Sequence, residues 1–189
     1  MKFFSLTSSA VPPTVAALPS TPFDGQEIYF QTSAMATDGV RWHLIYRLAA
    51  SGSYKWEYVG GSDLYAGSDL DEQIPAATIT YVALTTAVGV TIPVAGDYLV
   101  GYGTRFYPWS ANQDGLVSVT GCGLSTTQAT VDEWAAYATG PNGLGTNMSR
   151  FRRFTLTAGT LSHVYRHSNN TQLANFDARW LVARPIRVG

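Results

Sequence analysis

The strongest constraint on this chain is an alternation of period two in its aromatic and aliphatic residues. Trp42, Leu44 and Tyr46 fall on one side of a strand, with Arg41, His43 and Arg47 on the other. Tyr54, Trp56 and Tyr58 repeat the pattern against Lys55 and Glu57. Period two is the signature of a pleated strand with one buried face. With Glu27-Ile28-Tyr29-Phe30-Gln31 ahead of them, and Asp38-Gly39 and Ser51-Gly52-Ser53 as turns, these runs read as a three-stranded meander. Composition points the same way. Charged residues make up 13% of the chain, about half the usual share, and aromatics another 13%. Lys2 and Lys55 are the only lysines. The expected class is all-β.

Organisation follows from the punctuation. Residues 1–25 carry Pro12, Pro13, Pro19 and Pro22, which forbid a helix and discourage sheet pairing. They read as an extended arm, either disordered or pinned to a partner by Phe3, Phe4, Val11, Val15 and Leu18. Residues 26–68 form the meander module, whose aromatic face needs a neighbour. Residues 69–189 hold strand candidates at 78–84, 87–93, 97–107, 115–122, 149–157, 161–167 and 175–188, spaced as in an antiparallel sandwich. Asn112-Gln113-Asp114-Gly115 reads as a hairpin turn. Residues 131–138 read as a short helix capped by Thr130.

A net charge of −1 gives no basic face for nucleic acid. Cys122 is the single cysteine and reads as a small buried hydrophobe. The short apolar start at Phe3-Phe4 makes a poor export signal, and no run spans a bilayer, so synthesis in the cytoplasm is expected. Asp69, Asp71 and Glu72 read as a solvated acidic linker, and His163 and His167 as surface or inter-subunit histidines too far apart for one metal ion. No nucleophile motif or phosphate loop occurs. The expectation is no catalytic residue, no metal and no cofactor.

Two segments resemble known proteins. Pro22-Phe23-Asp24-Gly25-Gln26-Glu27-Ile28-Tyr29-Phe30-Gln31, Trp42-His43-Leu44 and Tyr54-Lys55-Trp56-Glu57-Tyr58-Val59-Gly60-Gly61 resemble a module of tailed-phage virion proteins of the minor tail type. Val90-Thr91-Ile92-Pro93-Val94-Ala95-Gly96-Asp97-Tyr98-Leu99-Val100 and its echo Phe154–Leu161 are similar to steps of tumour-necrosis-factor-like jelly rolls. The resemblance implies a trimeric jelly roll on the virion surface, as a capsid decoration or minor tail protein, with phage capsid or tail proteins as partners.

Two sets of residues are candidates for function. Phe3, Phe4, Val11, Val15, Leu18, Trp42 and Trp56 would attach the protein to the particle. Tyr107, Trp109, Trp134 and Tyr137 lie in or beside loops and would form an aromatic surface. That surface supports an alternative function as a tail-tip receptor-binding protein that holds a host surface glycan. A glycan hydrolase would need a carboxylate pair, for which Asp132 and Glu133 are the adjacent acids.

Overall fold

The computed structural model describes residues 11–73, 79–109, 113–140, 143–167 and 174–189. The chain divides into two compact units, Met1–Ser62 and Asp63–Gly189.

In the first unit, strand β1 (Thr14–Val15) pairs in parallel with β2 (Glu27–Phe30). Helix α1 (Ser33–Thr37) follows, then β3 (Trp42–Tyr46) and β4 (Trp56–Gly61). β2, β3 and β4 form the expected antiparallel meander. Two features were not expected. Part of the proline-bearing arm is tied to its own unit, because Pro13 and Val15 carbonyls accept from the Tyr29 and Gln31 amides, both at 2.9 Å. Helix α1 is capped by Thr32, whose hydroxyl accepts from the Met35 amide at 3.3 Å, and it carries Met35 into the core. Ile28, Phe30, Met35, Val40, Trp42, Leu44 and Trp56 are all buried. Phe30 stacks on Trp42 at 5.8 Å, and Tyr46 meets Trp56 edge-on at 5.3 Å.

The second unit is a two-sheet sandwich. Its strands are β5 (Leu64–Ser68), β6 (Glu72–Gln73), β7 (Gly89–Ile92), β8 (Gly96–Pro108), β9 (Gln113–Gly121), β10 (Ala136–Gly140), β11 (Thr146–Leu156), β12 (Gly159–His167) and β13 (Ala174–Val188). Helix α2 (Gln128–Trp134) lies between β9 and β10. One sheet orders β13 between β8 and the short strands β5 and β6, with β11 beyond β8. The other orders β10-β9-β12-β7. The chain crosses between sheets at β6–β7, β7–β8, β8–β9, β10–β11, β11–β12 and β12–β13. That double Greek-key path is a jelly roll. Tyr98, Val100, Tyr102, Phe106, Leu156, Leu161, Tyr165, Phe176 and Leu181 fill the space between the sheets.

Several expectations need correcting. The division falls at Ser62/Asp63 rather than near 68, because Leu64–Ser68 pairs with Ala183–Arg179 of β13 inside the sandwich. Residues 79–84 form no strand beyond a single bridge from Val82 to Tyr165. Asp114-Gly115 is no hairpin turn, since β8 and β9 lie in different sheets; Asn112 falls outside the described residues. Gly115 is needed for close approach, because a side chain there would collide with the Phe106 ring. The helix starts at Gln128 with Thr127 as N-cap, not at Thr130, and it ends at Trp134. Ala135 turns extended, and Ala136, Ala138 and Gly140 then alternate inward as an edge strand.

Candidate functional site

The ends of β8 and β13 lie side by side, with Asn175 opposite Tyr107 and Asp177 opposite Arg105. This register sets Tyr107, Pro108 and Trp109 against Asn175 and Asp177. Asp71 joins them from just ahead of β6, and the Gly143 amide donates to the Pro108 carbonyl at 3.0 Å. Together these residues line an open groove of about 490 Å³, within the ~300–1,000 Å³ range of small-ligand sites. Trp109 is 57% exposed. Its indole Nε1 donates to Asn175 Oδ1 at 3.2 Å, and Asn175 Nδ2 donates to Asp71 Oδ2 at 2.9 Å. Arg105 donates to both Asp177 carboxylate oxygens, and its guanidinium lies 4.8 Å over the Tyr107 ring. Two aromatic rings thus flank two planar hydrogen-bonded polar pairs.

The structure brings Tyr107 and Trp109 together and separates the other two aromatics of that set. Trp134 is core: α2 points it inward, where it meets Phe154 edge-on at 5.1 Å. Tyr137 is 58% exposed on β10, outside the groove lining, and its hydroxyl accepts from Thr139 at 2.8 Å. Among the attachment candidates, Phe3 and Phe4 lie outside the described residues. Val11 is exposed, and Val15 and Leu18 are half-buried. Trp42 and Trp56 are buried in the core of the first unit and have no face to offer a partner.

A second surface lies on the outer face of the sheet containing β13. Phe151 is 61% exposed and Tyr65 is 68% exposed. The register aligns Phe151, Gly101, Val182 and Tyr65 in one row across the sheet. Phe151 lies over Gly101, and Trp180 over Gly103, where a Cβ would sit 2.8 Å from the indole. The two rings pack together at 5.8 Å. The glycines of Gly101-Tyr102-Gly103 are therefore the floor beneath an aromatic platform.

The main feature that the sequence reading missed is buried charge. A register shift between Asp177 and Trp180, with Ala178 at φ 42°, turns Arg179 into the sandwich. Its guanidinium donates to Glu72 Oε1 at 3.0 Å, the Thr86 carbonyl at 2.9 Å and the Ser68 hydroxyl at 3.0 Å. Burial pulls the Glu72 carboxyl upward, but hydrogen bonds from Thr86 and the charge of Arg179 hold it below the ordinary glutamate value. Glu72 is thus the partner of a buried cation, not part of a solvated linker. His163 and His167 are also buried, not on the surface, each at 2% exposure. His163 Nδ1 bonds the Tyr165 hydroxyl at 2.8 Å. Burial, reinforced by the nearby Arg179 charge, depresses His163 to about 3. Cys122 is buried, and burial raises its thiol pKa.

Asp132 is held by Arg166 at 2.8 Å and by the Tyr81 hydroxyl at 2.8 Å. It fastens α2 to the sandwich and does not pair with Glu133 across a groove. Among the described residues no cluster of His, Cys, Asp or Glu is placed to hold a metal ion.

No family model matches the chain, and no curated protein matches it. Among solved structures it is similar to an Eiger TNF from S. frugiperda, at 10% identity over 67% of this chain and 93% of that one, TM-score 0.45. It is similar to the globular domain of a zebrafish complement 1qA protein, at 9% identity over 67% and 98%, TM-score 0.39. A third likeness is to TmCBM61, solved with β-1,4-galactotriose, at 13% identity over 70% and 72%, TM-score 0.32. The jelly-roll assignment rests on the strand order of this chain rather than on these likenesses.

Proposed function

We propose that this protein is a non-enzymatic surface component of a phage particle, a compact homotrimer attached to capsid or tail proteins. The observation that supports self-association is the aromatic platform of Phe151, Trp180 and Tyr65 on the outer sheet face. Apolar area of this kind gains about 25 cal/mol per Å² when removed from water. A second copy, carrying the same surface, is a ready partner. The virion assignment draws on the module resemblance in residues 22–61. Attachment falls to the arm, and the jelly roll is displayed.

Sedimentation analysis of the purified protein tests the assembly. The expected result is a trimer that Phe151→Glu converts to monomer without loss of folding. A wild-type monomer at micromolar concentration refutes self-association. Mass spectrometry of purified particles tests the location. Deletion of residues 1–11, which leaves β1 intact, is expected to abolish incorporation. Particles that carry the truncated protein at the normal copy number would contradict the role given to the arm.

A second reading is favoured by a separate observation. The groove at the loop end presents Trp109 and Tyr107 to the surroundings, as a host-surface adhesin would. Labelled protein is then expected to bind host cells, and Trp109→Ala to release it.

A further inference from the structure

We infer that the Tyr107–Trp109 groove is a subsite for a neutral pyranose glycan, and that it rejects acidic sugars. This rests on the adhesion reading for its biological setting, while the chemistry comes from the groove alone.

A pyranose presents two unlike surfaces. Its axial C–H face is apolar, and its rim carries hydroxyls that both donate and accept. The groove offers both complements. Trp109 supplies a broad, exposed indole face at the mouth, and Tyr107 a second ring beside it. Around them stand groups able to meet a hydroxyl in either sense. The Asp71 carboxylate accepts, while the Asn175 amide both accepts and donates.

These groups are already oriented. Asn175 is fixed between Trp109 Nε1 at 3.2 Å and Asp71 Oδ2 at 2.9 Å. Asp177 is fixed by the Arg105 fork. Side chains ordered before the ligand arrives lose little freedom on binding. Gly143 adds no side chain to the wall, which leaves open space beside it.

Charge narrows the ligand class. Among the described residues, two carboxylates and no cationic side chain line the groove. Arg105, 42% exposed beside the Tyr107 ring, matches Asp177. Asp71 remains as excess negative charge. A uronate, sialate or phosphorylated sugar would place like charge against it, which is unfavourable in a partly desolvated site. A neutral glycan meets no such penalty.

The test uses the full-length protein and a panel of soluble probes: cellotriose, galactotriose, maltotriose and chitotriose as neutral sugars, and trigalacturonate and oligosialic acid as acidic ones. Binding is read by saturation-transfer NMR and by tryptophan fluorescence. At least one neutral trisaccharide is expected to bind and both acidic probes to fail. Trp109→Ala is expected to weaken binding roughly tenfold or more, the scale of truncating a central anchor. Trp109→Phe, which keeps a ring but loses the indole donor, is expected to fall in between. Asp71→Asn should relax the exclusion of the acidic probes. Melting curves of each variant show whether the fold is retained. Failure of every neutral probe, equal or tighter binding of an acidic probe, or binding unchanged in a folded Trp109→Ala variant would each overturn the inference. Host-cell adsorption separates the two ideas. Trp109-dependent adsorption with no neutral-sugar binding sinks the ligand class and spares the adhesion reading. Neutral-sugar binding without adsorption does the reverse.

Discussion

The two units solve the same packing problem with different chemistry. The first has few residues and fills its interior with large rings: Trp42, Trp56 and Phe30 around Ile28, Met35 and Leu44. Its polar pairs stay near the surface, as His43 beside Glu27 at 2.9 Å and Arg47 beside Glu57 at 3.4 Å. The sandwich buries polar groups as well. Among the described residues, every buried polar or charged side chain (Thr104, Ser118, His163, His167, Asp177 and Arg179) belongs to it. A small core cannot spare volume for polar groups that need partners of their own. A larger one can, provided each charge is paired, because an unpaired buried charge is far more expensive than an unpaired surface one; the His167 ring is buried with neither nitrogen hydrogen-bonded among the described residues. In return, the Arg179 cluster ties β5, β6 and the segment before β7 to β13 through one guanidinium.

That contrast can be broken from either side. The largest effects are expected at the two cores. Arg179→Ala leaves Glu72 without its cation and is expected to cost about 3–5 kcal/mol. Trp42→Ala removes a fully buried indole, with its bond to the Ser62 carbonyl, at a similar cost of about 3–5 kcal/mol. Hydrogen exchange by mass spectrometry separates the two. Arg179→Ala should deprotect β5, β6 and β13, and Trp42→Ala should deprotect residues 26–61. If either variant loosened both units equally, the division of labour would be wrong.

Acid should act on the sandwich next. His163 is neutral in the fold, with its pKa depressed to about 3, whereas the unfolded chain takes up that proton near the ordinary value of about 6.5. His167 is depressed as well, by burial. The stability these histidines contribute is complete above about pH 6.5 and is lost as pH falls below it. For His163 the slope is about 1.4 kcal/mol per pH unit below that point, and His167 adds a loss of the same sign. Glu72, held low, adds a loss of the same sign at more acid pH. Urea midpoints measured between pH 7 and 4 should therefore drop, and His163→Gln should flatten the decline. A midpoint independent of pH over that range would remove the buried-histidine account.

The smallest effect is expected at the surface of the first unit. Arg47 and Glu57 are each nearly half exposed, and their pair is worth at most about 1 kcal/mol. Arg47→Ala should move the melting point little, and less still at high salt.

Much of the fold was legible along the chain. The meander announced itself because Trp42, Leu44, Trp56 and Tyr58 obey period two, and strands 96–108 and 174–188 because long apolar alternation has few other outlets. What was hidden involved pairing across distance. Residues 64–68 read as the tail of the meander module and become a strand of the sandwich only because β13 offers them an edge. Gly115 looks like a turn and is a gap for Phe106. Tyr107 and Trp109 end a recognisable strand, whereas Trp134 lies within a helix whose start was misplaced, so its inward direction was invisible.

By itself the sequence determined the all-β class and the single, unpaired cysteine. These depend on residue type and on the two-residue period of a strand, which are local properties. Only the tertiary structure decided that Glu72 faces Arg179, that His163 and His167 are buried, and that Asp71 and Asn175 meet beside Trp109. Those partners come from strands far apart in the chain. Their meeting depends on sheet register and on one bulge at Ala178, and neither leaves a periodic trace in the sequence.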